Sequence, residues 1–263
     1  MAARPIGLLI ICLCMGAPVH AEPLVIAASP GLAIPLGAVA RAFESAHPDV
    51  RVRLYLDSGL DLRRTIAAIQ NDGRHTIGAG AVHLIAPGSD ELLDRLEEHY
   101  YGMPETRRPY ALTRLVLVAP ESLVEAPVSF EALAVSGARV AVADPRETEL
   151  GLRTRRLLDA LGLSPVLRDR LDVAADARAV LDHVLNGRAD VGVVFNADAV
   201  RERERVRIVA TSRHAAAPPI THSMTMDRFC PNRRLCQEFL DFTGTAPARS
   251  VLRQLGYEPA SFP

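Results

Sequence analysis

Two short stretches, "IAASPGL" at residues 26–32 and "LDSGLD" at 56–61, place Ser29 and Gly31, then Ser58 and Gly59, just ahead of runs with helical spacing. Small hydroxylated residues and glycine at a helix start have two uses. A serine oxygen caps the free backbone N–H groups of the first turn. Those same N–H groups, with the positive end of the helix dipole and a glycine that lets backbone come close, also hold an anion. Three further loops have the same setting: "DPRETELG" at 144–151, "VAADARA" at 173–179 and "FNADA" at 195–199. Any one of them, alone, is read first as an ordinary cap. Five of them in one chain point to helix N-termini gathered round an anion-sized cleft.

The elements that would position these loops alternate along the chain. "PLVIAAS", "VRVRLYL", "ALTRLVLVAP", "ARVAVADP", "VGVVFNADAV" and "VRIVATS" have strand length or strand alternation. "LGAVARAFESAH", "LDLRRTIAAIQNDG", "ELLDRLEEHYYG", "SFEALAVSG", "ELGLRTRRLLDALG", "ARAVLDHVLNGRAD", "RRLCQEFLDFTG" and "ARSVLRQLGY" have helical spacing. Such alternation predicts an α/β fold with mostly parallel sheets, whose ligands sit beyond the carboxyl ends of the strands. Two polar, Pro-rich stretches, "MPETRRPYAL" at 103–112 and "SRHAAAPPITHS" at 212–223, read as loops where the chain leaves a first lobe and returns. The expected organisation is a leader at 1–21, lobe I at 22–109 plus 218–263, and lobe II at 110–217.

The chain of 263 residues is long enough for two such lobes. A formal net charge of −1 argues against nucleic acid or an anionic membrane surface as partner. Aromatic residues are 5% with no Trp, which disfavours a carbohydrate cleft. Arg4, the apolar "IGLLIICLCMGAPV" and "VHA" ending at Ala21 form a cleavable signal peptide too short to span a membrane, so the expected location is the periplasm. Cys12 and Cys14 leave a lipoprotein alternative, although neither follows a small residue.

Cys230 and Cys236, five residues apart in between, are either a small-loop disulfide of an oxidising compartment or two separate thiols. No second ligand pair accompanies them, so zinc is not implied. His75, His83, His99, His183, His214 and His222 are scattered. His222, beside Ser223 near the return crossover, either edges the cleft or lies on the surface. A hydrolase built from Ser29, His222 and an aspartate lacks a G-x-S-x-G elbow. "RERERVR" at 201–207 reads as a solvated face.

Longer stretches carry a family resemblance: "LVIAAS" with "AFESAHPDV", "LTRLVLVAP", "RVAVADP" followed by "LLDALGL", "ARAVLDHVLNGRADVGVVFNADA", and "FLDFTGTAPARSVLRQLGYEP". The chain resembles the periplasmic molybdate-binding proteins of ABC transporters, across nearly all of its mature length. The resemblance implies two α/β lobes joined by crossover segments, a small oxyanion such as molybdate or tungstate between them, and delivery to a membrane permease. It implies a monomer with no cofactor, no catalysis and no metal ion held by side chains; any metal enters inside the oxyanion. Family members bind with serine hydroxyls, backbone N–H groups and one tyrosine hydroxyl. Aligned on "IAA" the first serine is Ser29; aligned on the helix the position is Gly31. The second serine position falls on Gly59, with Ser58 just before it. Leu150 and Ala177 fall at two backbone-donor positions, and Phe195 stands where the family has its tyrosine. Thr76 to Ala79 replace an acidic stretch. Asp57 and Asp61 flank the second loop, and either pointing into the cleft would repel an anion. A ligand-sensing protein of the same fold, binding another small anion or an organic acid, is the alternative.

Overall fold

The structure, a computed structural model, describes residues 23–57, 82–99 and 101–260. Ser58, Gly59, Asp61, the expected helix after them, Thr76 to Ala79 and the leader lie outside the described residues.

The chain opens with β1 (Leu24–Ala28), all five residues of it buried, as suits a central strand. A single 3-10 turn, Pro30–Leu32, leads into α1 (Ala33–Ala46). Leu36, Val39, Ala40 and Phe43 recur at helical spacing and form the buried face of α1. Next come β2 (Val52–Leu56), β3 (Leu84–Ala86), α2 (Asp90–Glu98) and the long β4 (Gly102–Thr113). A second sheet follows, built from β5 (Leu115–Pro120), β6 (Val140–Ala143), β7 (Leu171–Ala174), β8 (Val191–Phe195) and β9 (Val206–Thr211). Between its strands lie α3 (Glu149–Ala160), α4 (Ser164–Leu167), α5 (Ala177–Leu185) and α6 (Asn196–Arg201). The chain then returns through β10 (Ile220–Asp227), α7 (Arg233–Phe242), α8 (Ala246–Gln254) and the short β11 (Glu258–Pro259).

The first sheet has the order β11-β4-β10-β3-β1-β2 and the second β7-β6-β8-β5-β9. Each has its own apolar core. Leu24, Ile26, Leu36, Phe43, Leu84 and Phe239 belong to the first; Val116, Val140, Leu157, Val180, Val191 and Val193 belong to the second. In the first core the Phe43 ring meets Phe239 and Phe242 edge-on, with centroids 5.0 and 5.3 Å apart. Cys230 and Cys236 are joined as a disulfide between the end of β10 and α7.

The two-lobed α/β architecture is the one expected, with three differences. The sheets are mixed: β2-β1-β3 and β7-β6-β8 are parallel, while β10, β4, β11, β5 and β9 join antiparallel. The antiparallel strands are those next to the crossings, where the chain enters one lobe and leaves the other. Residues 103–112 are strand rather than loop. Pro109 lacks an N–H for the ladder, and the register of β4 on β10 shifts between His222 and Ser223, opposite Pro109 and Ala111, which absorbs the defect. The expected helix in "SFEALAVSG" shrinks to a 3-10 turn at Glu131–Ala134.

The chain changes sheet at Arg114, the single residue between β4 and β5, and again through 212–219. Three bonds tie these crossings. The Asn196 N–H donates to Arg114 O (2.9 Å), the Ser212 N–H to Leu115 O (2.8 Å), and Asn196 Nδ2 to Gly256 O (2.6 Å). Arg114 Nε also pairs with Glu258 Oε1 at 2.7 Å.

Candidate functional site

A cleft of about 320 Å³ lies where the carboxyl ends of strands from both sheets meet. Ser29 and Gly31 enter it from the end of β1, Leu150 from α3, Ala177 from α5, and Phe195 from the end of β8. Five of the seven expected binding positions thus share one cavity; Ser58 and Gly59 are the two outside the described residues. Two larger hollows, of about 610 and 420 Å³, lie at 200–205 with 254–255 and at 128–131 with 210–214. Neither gathers the helix starts.

The helix starts on the second lobe are set by their caps. Thr148 has extended backbone, and its Oγ1 accepts the Gly151 N–H at 2.9 Å while donating to Asp144 O. Asp176 caps α5 by accepting the Ala179 N–H at 2.9 Å. The first N–H groups of a helix have no partner within it. Capping occupies the third, so the N–H groups of Glu149 and Leu150, and of Ala177 and Arg178, remain for a ligand. Gly151 fixes where α3 begins: a Cβ there would stand 2.4 Å from Ala143 O, so only glycine lets the helix start lie against the end of β6.

On the first lobe, Ser29 Oγ donates to Pro87 O at 2.5 Å. Gly88 follows with φ +96°, and a Cβ on it would sit 3.1 Å from Ser29 Oγ. The Gly88 carbonyl is held in turn by His222 Nδ1 at 3.0 Å. Ser29 and His222 therefore each bond a carbonyl of the Pro87–Gly88 loop, and no hydrogen bond joins them to each other. Gly31 has open space around it. Asp57 donates its N–H to Ala28 O at 3.0 Å and is not among the residues lining the cleft.

Several cleft residues escape the sequence reading. Gly88, Thr113, Ile220 and Tyr257 line it, as do the carboxylates Glu149, Asp176 and Asp198. Glu149 pairs with Arg153 at 2.6 Å, and Asp198 with Arg201. Burial raises the Asp198 carboxyl against the opposing pull of Arg201. Burial also pushes the Tyr257 hydroxyl up to about 12, with the Asp198 charge adding to it. His222 is pressed down to about 4 by burial, against the hydrogen bond to Gly88. Thr113 is 3% exposed, and its Oγ1 has no hydrogen-bond partner among the described residues. The acids could have been suspected from "TEL", "ADA" and "NADA", where each sits at or just inside a helix start. No group of three or more His, Cys, Asp or Glu among the described residues could hold a metal ion.

Two α/β lobes joined by crossing strands, with helix starts of both halves at one cleft, define a two-lobed ligand-binding protein. The chain belongs to the bacterial extracellular solute-binding proteins, whose family model matches residues 24–258. The molybdate-binding protein ModA of Escherichia coli is 22% identical over 223 residues, 83% of this chain and 86% of its own. Among solved structures, the substrate-binding domain assigned to a molybdenum ABC transporter of Clostridium difficile superposes with a TM-score of 0.79 at 21% identity, covering 91% of this chain and 99% of that one. The periplasmic molybdate-binding protein of Azotobacter vinelandii gives 0.66 at 20% identity, covering 90% and 100%. At these identities the structural likeness establishes the fold.

Proposed function

We propose that this chain is the solute-binding component of an ABC importer. It is exported through the leader at 1–21 and holds a small oxyanion between the lobe of the first sheet, which keeps β4 through Thr113, and the lobe of the second sheet, which begins at Leu115. One observation carries the reading: Leu150 and Ala177, at the starts of two helices, share a cavity with Ser29 and Gly31 of the other lobe. Backbone N–H groups at helix starts favour an anion without any cationic side chain, and no arginine or lysine is among the described residues lining the cleft. Phe195 closes a wall without donating. Ser58 and Gly59 complete the first-lobe half. A ligand touching both lobes favours the closed form by its differential affinity, and that form docks on the permease. Molybdate and tungstate are the first ligands to try, since they follow from the relatives.

A second reading, another small anion or organic acid reported to a membrane sensor, is favoured because the acids Glu149, Asp176 and Asp198 at the same cavity repel a doubly charged oxyanion more than a singly charged carboxylate. The test is the thermal midpoint of the protein against molybdate, tungstate, sulfate, phosphate and small carboxylates. A bound ligand stabilises by about 2.7 kcal/mol at a hundredfold excess over Kd. A rise with molybdate and tungstate supports the first reading, and a rise with carboxylates alone supports the second. No rise with any anion removes both.

A further inference from the structure

His222 is 8% exposed and lines the cleft from β10. Its Nδ1 lies 3.0 Å from Gly88 O. A carbonyl oxygen only accepts, so Nδ1 carries the proton and donates. The rings of Tyr110 and Tyr257 lie near that of His222, at centroid distances of 6.4 and 5.8 Å. The charges acting on it are Asp90 and Arg153, of opposite sign, and burial outweighs both. The ring is therefore neutral at physiological pH, and Nε2 is a bare lone pair. Nε2 has no hydrogen-bond partner among the described residues.

Two other hydroxyls at the cleft have already given their protons to backbone carbonyls. The Ser29 hydroxyl proton goes to Pro87 O and that of Thr148 to Asp144 O. The Glu149 carboxylate accepts from Arg153 and the Asp176 carboxylate from the Ala179 N–H. Among the described residues, the donors left for a ligand are backbone N–H groups, the Tyr257 hydroxyl and the buried hydroxyl of Thr113, which has no partner there. The cleft thus has a donor pole at the helix starts and an acceptor pole at His222.

Taking the cleft as the anion site proposed above, we propose that it selects a small anion carrying its own hydrogen-bond donor, which His222 accepts at Nε2. A fully deprotonated oxyanion satisfies the donor pole and sets lone pair against lone pair at the other. An anion with an O–H satisfies both. Hydrogen phosphate and a hydroxycarboxylate share that chemistry, and a paired comparison separates them.

The experiment is titration calorimetry on the native protein with two pairs, phosphate against sulfate and glycolate against acetate, and with molybdate. Phosphate keeps a P–O–H at neutral pH and sulfate does not; glycolate has a hydroxyl and acetate none. At least one donor-bearing member is expected to bind at least about tenfold tighter than its partner and than molybdate. Titrations of glycolate, whose charge is fixed at neutral pH, in buffers of different ionisation enthalpy are expected to show no proton uptake. His222→Phe is expected to erase the preference; if that variant does not fold, the native pairs and the proton count still decide. Equal or tighter binding of the donor-free member in both pairs, or molybdate matching or exceeding every donor-bearing anion, overturns the inference. So does uptake of a proton on glycolate binding, since the ring would then be charging in order to donate. Binding of no anion at all instead overturns the anion cleft itself.

Discussion

At the scale of single residues, the anion reading depends on backbone groups, which most substitutions leave intact. Proline is the exception, because it deletes the N–H. Ala177 is the first residue of α5, a position where proline is tolerated. Asp176 before it is already extended, with φ −156° and ψ −176°, as a residue preceding proline must be. Ala177→Pro should therefore fold normally, with a urea midpoint close to that of the parent. Anion affinity should fall about tenfold to a hundredfold, the loss expected for one hydrogen bond to a charged acceptor. Unchanged affinity in the calorimeter would remove Ala177 from the site. Ser29 and Gly31 were legible because they sit at a strand-to-helix junction whose pattern is local, while Leu150, Ala177 and Phe195 came from the family resemblance; all five line the cleft. His222 was not placed, because it reaches the cleft by bonding a carbonyl 134 residues away. Thr113 and Tyr257 were missed for the same reason: they come from β4 and from the turn before β11, which local pattern does not bring to a helix start.

At the scale of elements, α3 is the part whose placement decides most. Its start is held by Thr148, which bonds Asp144 O and the Gly151 N–H at once, and by the close approach that Gly151 permits. Thr148→Ala should cost about 0.5–2 kcal/mol of stability, read from urea unfolding, and Thr148→Ser should restore most of it. If both variants unfold alike, the hydroxyl is not what holds the helix start. The strong periodic helices α1, α3, α5, α7 and α8 were readable from their apolar spacing. β4 was not, because two prolines and three charged residues in "MPETRRPYAL" have loop composition. Tertiary pairing with β10 and β11 overrides that composition, and the register shift beside Pro109 is the local adjustment it requires. "SFEALAVSG" fails in the other direction: a short apolar run with helical spacing is too brief to hold an α-helix unless packing extends it.

At the scale of the whole molecule, β10 links the cleft to the core of the first lobe, and it carries two buried groups that titrate against each other. His222 has its pKa held near 4 by burial, below the 6.5 of a free histidine. The unfolded chain takes up that proton first, so this contribution is complete above about pH 6.5 and is lost as pH falls toward 4. Asp227, 1% exposed, is raised to about 6 by burial, against the Phe229 N–H that its carboxylate accepts. Its folded state holds the proton longer, so its contribution is complete at low pH and is lost as pH rises through about 6. The two slopes oppose each other between pH 4 and 6 and should leave the parent nearly flat there. Asp227→Asn keeps an acceptor for Phe229 and removes one slope. The variant should be more stable than the parent above about pH 7, by on the order of 2–3 kcal/mol. It should then lose stability steeply on acidification below about pH 6.5, seen in urea midpoints taken across that range. A variant whose stability stayed flat down to about pH 4 would show that the fold does not hold His222 neutral. The acceptor pole of the cleft would then be lost with it, because a charged ring has no lone pair to offer a ligand.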